Sequence, residues 1–203
     1  MEKPRKKARQ SRSQMTVNSI LTATKMLLTE KGLGKITTNK IVEKAGVSIG
    51  SLYQYFPNKN AILSVVVEKI FKSDVDEVVA KLDEIGPDSH SLQEAISEIL
   101  ELIFGSYVQK PKLNKEIILS TMTLKSIAFT LKHDGIVKKH LLEFLNKYHD
   151  QIRENVDLER FIFTFHYAIK GLKFGITYND KTSYADGIAS DLTTMIYSFL
   201  KKG

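Results

Sequence analysis

Thr37-Thr38-Asn39-Lys40-Ile41-Val42-Glu43-Lys44-Ala45-Gly46-Val47-Ser48-Ile49-Gly50-Ser51-Leu52-Tyr53-Gln54-Tyr55-Phe56-Pro57-Asn58-Lys59 places three helix boundaries in quick succession. Thr37 or Thr38 can cap a helix of about two turns that buries Ile41, Val42 and Ala45. Gly46 tolerates left-handed backbone and ends that helix, and Ser48 caps the next. Pro57 forbids further continuation, and Asn58 starts a third, longer helix. Short helices joined by a glycine turn suit the major groove of DNA if the second helix is anchored on one side and free on the other. Leu52 and Phe56 supply the anchor, while at about 100° per residue Gly50, Ser51, Gln54 and Tyr55 face away. Gln54 can pair bidentately with adenine, Ser51 can meet a base edge, and Gly50 allows close approach. Thr38 and Lys59 stand at helix N-termini, where hydroxyl, amide and ammonium donors converge on phosphate. On the same wheel Ile49 and Tyr53 fall on the Leu52 side, which favours burial. A tight helical hairpin inside a core would show the same helix-glycine-helix pattern, so the charge around it has to decide.

The net charge of +7 is unevenly spread. Residues 1–59 carry 12 Lys/Arg against 3 Asp/Glu, and residues 60–203 carry 18 against 20. The natural counterion of such an end is a polyanion, nucleic acid before an anionic membrane surface. The 42% hydrophobic and 26% charged composition is that of a soluble globular protein, and 203 residues suffice for one large core or two small ones. No apolar run approaches the ~20 residues that span a bilayer, and no secretory signal opens the chain, so a cytoplasmic protein is expected. Cysteine is absent, which excludes disulfides, thiolate metal sites and a cysteine nucleophile. His133, His140, His149 and His166 show no metal-ligand spacing, and no phosphate loop or nucleophile elbow is present; neither metal, cofactor nor catalytic residue is expected.

Outward from the quoted stretch, helical periodicity dominates. An apolar stripe of Val17, Ile20, Leu21, Thr24, Leu27 and Leu28 predicts a first helix over 15–31, stopped by Gly32 and Gly34. Residues 1–14, almost purely basic and polar, are expected to be disordered, either a minor-groove arm or a solubilising terminus. The helix from Asn58 should run to about 85, before Gly86-Pro87. Further helices are expected near 91–109, 112–132 (with a bend that the sequence does not place), 136–154, 157–176 and 184–201. Pro111, Asp134-Gly135, Asn155 and Asn179-Asp180 punctuate them. The expectation is thus an all-α protein of about nine helices, with a helix-turn-helix domain at 15–59 and a helical domain at 60–203.

The pattern Thr37-Thr38-x-x-Ile41-Val42-x-x-Ala45-Gly46-Val47-Ser48-x-Gly50-x-Leu52-Tyr53-x-Tyr55-Phe56-x-x-Lys59 resembles the signature of the tetracycline-repressor (TetR) family of transcription regulators. The resemblance implies a homodimer, a palindromic double-stranded DNA operator and a C-terminal domain for a small effector. By position it implies DNA contacts at Thr38, Ser48, Ile49, Gly50, Ser51, Tyr53, Gln54, Tyr55 and Lys59. Tyr53, Tyr55 and Lys59 would mainly touch phosphate. Ile49 stands where such proteins are often polar, and is open between packing and a thymine methyl.

In the C-terminal part, residues 161–169 are apolar almost all round and demand cover on more than one side. Ala168, Gly171 and Gly175 form a small-residue groove, and Ile188, Leu192, Met195, Ile196 and Phe199 a second stripe; in the family the last two helices pair across the dimer axis. A central helix of a monomeric bundle is the other reading. Phe104, Tyr107, Met122, Phe129, Tyr148 and Phe165 lie on helices that surround the family's ligand cavity, and an effector there should be mainly apolar or aromatic. The expected function is a repressor released from DNA by such an effector. An effector-independent architectural or constitutive DNA-binding protein, a helical small-molecule enzyme and a membrane-surface protein are the rival readings.

Overall fold

The computed structural model describes residues 5–123 and 127–203, with side chains over 12–118 and 133–203. Among these residues there are nine α-helices: α1 (Arg5–Lys31), α2 (Thr38–Ala45), α3 (Ile49–Tyr55), α4 (Lys59–Glu84), α5 (Leu92–Gln109), α6 (Pro111–Thr123), α7 (Ile127–Lys147), α8 (Leu158–Tyr178) and α9 (Ala185–Leu200). The chain forms two compact units, residues 1–70 with 119–125, and residues 71–118 with 126–203; it passes from one to the other within α4. No helix among the described residues is long and apolar enough to cross a membrane.

In the N-terminal unit, α1, α2 and α3 pack on one another. Ile20, Leu21, Ala23, Leu27 and Leu28 of α1 are buried, as are Ile36, Ile41, Leu52 and Phe56. Thr24, fully buried on the same stripe, donates its hydroxyl to the Ile20 carbonyl at 2.7 Å, so it sits in a core without an orphaned polar group. α1 begins at Arg5, whereas the sequence pattern put its start near residue 15. The earlier turns are built from Arg, Lys, Ala and Gln, which favour helix without needing an apolar face, and periodicity gives no signal for them.

The C-terminal unit is built round α5 and α9, its most extensively packed pair. Its core takes Leu92, Ala95, Ile99 and Phe104 from α5, Phe144 and Tyr148 at the end of α7, Phe161 and Ile162 from α8, and Ala189, Leu192, Ile196 and Leu200 from α9. Helix ends are tied by side chains. Ser91 and Glu94 form a reciprocal capping box on α5, and Asp157 caps α8 through the Arg160 amide. Lys147 donates to the carbonyls of Leu82, Asp83 and Ile85 at 2.9, 3.0 and 3.1 Å, closing the C-terminal end of α4 where a cation is favoured.

Helix α7 runs straight through Asp134-Gly135, which the sequence marked as a break. The reason is tertiary. Asp134 is buried, and its carboxylate accepts from Lys170 at 2.7 and 3.0 Å. That tie outweighs a mid-helix glycine, which costs about 1 kcal/mol. The helix expected at 136–154 is therefore the second half of α7, which starts at Ile127. Asn155 does stand at a turn, with φ of 68°, as does Asp180 with φ of 54°. A single antiparallel β-bridge, Ile152 with Lys201, ties the link before α8 to the end of α9.

His166 completes the Asp134 cluster, with Nε2 3.1 Å from Oδ1 but not aligned for a hydrogen bond. Burial pushes its pKa below the usual 6.5, outweighing the attraction of Asp134. The sign follows directly. Below pH 6.5 the unfolded chain takes up this proton while the folded chain resists it, so stability falls as pH drops through that window. His166→Gln should flatten the melting temperature against pH profile over that range, and an unchanged slope would refute the assignment.

Candidate nucleic-acid interface

The turn between α2 and α3 is fixed by backbone chemistry. Thr37 accepts from the Lys40 amide at 3.3 Å, capping α2. At the other end Gly46 adopts φ 66°, ψ 34°, and the Val47 amide reaches back to the Val42 carbonyl at 3.2 Å. This closure satisfies an end carbonyl and needs a left-handed residue, which glycine supplies without a Cβ clash. Ser48 then accepts from the Ser51 amide at 3.0 Å, and its own carbonyl receives the Leu52 amide. Two helices thus meet through Gly46, Val47 and Ser48 alone.

Helix α3 is held from one narrow side. Leu52 is fully buried and Phe56 nearly so, while Gly50 and Gln54 are exposed, Tyr55 borders on exposed and Ser51 is half-buried. Ile49 and Tyr53, which the wheel put on the buried side, are 41% and 50% exposed. The wheel failed because it carried the helix through Phe56. That residue has left the helix, at φ −133°, ψ 122°, under the constraint that Pro57 places on the residue before it. The true anchor is therefore Leu52 at the middle of a seven-residue helix, with Phe56 reaching in from extended backbone. Everything else on α3, including two tyrosines and an isoleucine, is offered outward. Of the two readings open for Ile49, its 41% exposure favours presentation over packing.

Asn58 accepts from the Ala61 amide at 3.0 Å and so caps α4, with Lys59 as its first residue. Lys59 donates to the Ile36 carbonyl at 3.1 Å, which ties the start of α4 to the segment before α2. Thr38 opens α2 and is half-buried. The hydroxyls of Ser48 and Ser51 lie 2.8 Å apart and hydrogen-bond each other. Both helix N-termini thus stand beside exposed α3 in the part of the chain with 12 Lys/Arg and 3 Asp/Glu, a geometry able to cradle a phosphate backbone.

The C-terminal residues singled out from the sequence fall into separate groups. Phe104, Tyr107 and Tyr148 are buried core residues, and Phe165 packs partly buried against the same core, its ring centroid 4.5 Å from that of Phe161. Tyr148 donates its hydroxyl to the His90 carbonyl at 3.2 Å, while burial pushes the Tyr107 phenol pKa up. The side chains of Met122 and Phe129 lie outside the described residues. Of the second group, Ala168, Gly171, Met195 and Phe199 are exposed and Gly175 and Ile188 are half-buried. Leu192 and Ile196 pack into the chain's own core. The sequence missed an exposed aromatic row on α8, namely Phe163 (58% exposed), Tyr167, Phe174 and Tyr178 (70% exposed). Their spacing was available, but a helix apolar all round hides which side faces out. Among the described residues, no cluster of three His, Asp or Glu side chains could hold a metal ion.

Comparison with known proteins locates the same unit. A family model for bacterial regulatory proteins of the tetR family matches residues 20–66. The chain is 36% identical over 63 residues to the uncharacterized HTH-type transcriptional regulator YvdT of Bacillus subtilis, covering 31% of this chain and 32% of that one. It is 29% identical over 92 residues to the nucleoid occlusion factor SlmA of Mannheimia succiniciproducens, covering 45% and 41%. The chain thus spans only about a third to about two-fifths of the length of these curated relatives, 32% and 41%. In three dimensions it is similar to a TetR-family transcriptional regulator from Pectobacterium atrosepticum, with a TM-score of 0.76 at 15% identity, covering 95% of this chain and 97% of the other.

The packing separates structural from presenting residues on α3. Ser48→Ala should cost about 1 kcal/mol of unfolding free energy in a urea titration, as loss of an N-cap does. Ile49→Ala and Gln54→Ala should each stay within about 0.5 kcal/mol, as surface changes do. A loss at Ile49 as large as the cap's would mean that this side chain is packed rather than presented.

Proposed function

We propose that this chain, whose residues 20–66 match the tetR family of bacterial regulatory proteins, is a dimeric, sequence-specific transcription regulator that reads a palindromic operator with α3 and is released from it by a small effector. The observation that carries this reading is the one-sided anchoring of α3, which leaves Ile49, Tyr53, Gln54 and Tyr55 outward beside a basic surface.

In this reading α3 lies in the major groove. Gln54 meets adenine, Ser51 turns its hydroxyl from Ser48 to a base edge, and Ile49 covers a thymine methyl. Gly50 admits the close backbone approach, and Ser48 keeps its cap at the groove edge. Tyr53, Tyr55, Thr38 and Lys59 hold phosphates and fix the register. The helix continuing back to Arg5 adds basic residues whose contribution would fall with salt.

The dimer would form through α8 and α9. What supports this is the exposed row Phe163, Tyr167, Phe174 and Tyr178 on α8 together with exposed Met195 and Phe199 on α9, large apolar side chains that a second copy would cover. Lys138 sits over the rings of Phe163 and Tyr167, at 5.0 and 4.5 Å, as a polar rim to that face. The effector domain would be the C-terminal unit, with an apolar or aromatic ligand among Phe104, Tyr107, Tyr148 and Phe165. An effector that prefers the DNA-incompetent conformation weakens operator binding by its difference in affinity, typically about 1–3 kcal/mol.

Selection of duplexes from a random library by the purified chain should enrich a palindrome. Gln54→Ala should then cost about 1–3 kcal/mol on that site and relax preference at one base pair in each half. Tyr55→Phe should weaken binding without changing preference. Weak binding blind to sequence would sink the specific-regulator reading. Separately, Phe174→Glu should shift sedimentation from dimer to monomer and abolish operator binding, whereas a variant that stays dimeric would place the dimer contact elsewhere.

A further inference from the structure

Helix α8 carries, besides its exposed aromatic row and its buried apolar face, a third stripe that is polar. His166, Lys170, Lys173 and Thr177 stand at i, i+4, i+7 and i+11, which puts them on one line along the helix. This line borders the buried face that carries Ile162 and Ile176. Its first half is internally balanced, since Lys170 pairs with the buried Asp134, and His166 stands against the same carboxylate.

The second half is not balanced. Lys173 has no carboxylate within ion-pair distance among the described residues; its ammonium lies 5.6 Å from the centroid of the Tyr107 ring. Asp74 attracts it only at longer range. Thr177, one turn further on, is 3% exposed, and its hydroxyl has no hydrogen-bond partner among the described residues. Threonine in a helix ordinarily satisfies its hydroxyl on the carbonyl four residues back, as Thr24, Thr164 and Thr193 do here. Among the described residues, an ammonium with no carboxylate at ion-pair distance and a buried hydroxyl with no partner, one turn apart, are each costly alone.

We propose that Lys173 and Thr177 form an anion-anchoring subsite in the C-terminal unit, which takes the carboxylate of an amphipathic small molecule whose apolar body lies against Tyr107 and the neighbouring core. This rests on the reading of that unit as an effector-binding domain, and it names the chemistry of the effector's polar end. One ammonium and one hydroxyl match the two oxygens of a singly charged carboxylate. A phosphate dianion would call for a guanidinium fork or a second unpaired cation, and Lys170 is already committed to Asp134. Burial pushes the Lys173 pKa below the usual lysine value of 10.5 against the attraction of Asp74, and an arriving carboxylate would oppose that shift.

The test is calorimetric titration of the full chain with straight-chain alkyl carboxylates of increasing length, each against the alcohol of the same length, below their micellar concentrations. At the length that fits, the acid should bind about tenfold tighter than its alcohol, as a charge-assisted hydrogen bond supplies. Lys173→Met should erase that preference, Lys173→Arg should keep most of it, and Thr177→Val should reduce it. Acids that bind no better than alcohols at every length, or not at all, would overturn the subsite, as would a preference that survives Lys173→Met. The acid and alcohol comparison on the unaltered chain stands even if a variant fails to fold. Operator binding in the same samples separates the two readings. If the operator is bound but acids show no advantage, only this subsite falls; if no operator is bound, the regulator reading falls with it.

Discussion

Gly46 and Leu52 together set the constraint on which the N-terminal unit depends. The glycine takes the left-handed conformation that turns the chain sharply after α2, and Leu52, fully buried, fixes the rotation of α3 about its own axis. A two-turn helix cannot hold itself, because nucleation is unfavourable and few of its hydrogen bonds are internal. It therefore has to be clamped at its ends, by the Ser48 cap and by the Phe56–Pro57–Asn58 exit, and pinned once in the middle. This economy of attachment leaves most of the surface of α3 free. A longer or more deeply anchored helix would be more stable and would present less.

Helix α8 solves the opposite problem, that of serving several environments at once. Phe161, Ile162 and Ile176 face the core. His166, Lys170, Lys173 and Thr177 form the polar line, the aromatic row follows it round the helix, and Ala168, Gly171 and Gly175 complete the circumference. Distribution of these classes by angle explains why the segment looks apolar throughout in a linear reading. The exposed aromatics are stabilised only if something covers them, and small residues beside them let another backbone approach.

The N-terminal unit was legible because its determinants are local. Thr37, Gly46, Ser48, Pro57 and Asn58 act through bonds to residues within a turn, so spacing alone reveals them. The ends of most C-terminal helices were legible for the same reason, as with the Ser91 capping box. What was not legible depended on partners distant in sequence. Asp134-Gly135 looked like a break until Lys170, 36 residues on, is seen to hold the aspartate. Leu192 and Ile196 shared a stripe with Met195 and Phe199, and only packing against α5 divides the stripe into buried and exposed parts. Ile49 and Tyr53 were misplaced by a single assumption, that the helix continues to Phe56. The charge of Lys173 was visible from the start, but not that it would stand by the Tyr107 ring with no described carboxylate at ion-pair distance.

That setting bears on why such a residue is kept. A folded chain ordinarily gains when a poorly paired, partly buried cation is replaced by an apolar group of like volume. The neighbourhood of Lys173 supplies the apolar surface to receive one, from the Tyr107 ring to Ile176. The buried hydroxyl of Thr177 could likewise be a methyl with no loss of packing. Two such departures from the stable choice, one turn apart on the same line of one helix, are hard to account for by folding alone. Local rules tend to be broken where a site is kept at the expense of stability. On α8 the stripe that breaks them also separates the core face from the face that would meet a second copy. A ligand drawn to it would therefore act on the helix that both the core and the dimer contact depend on.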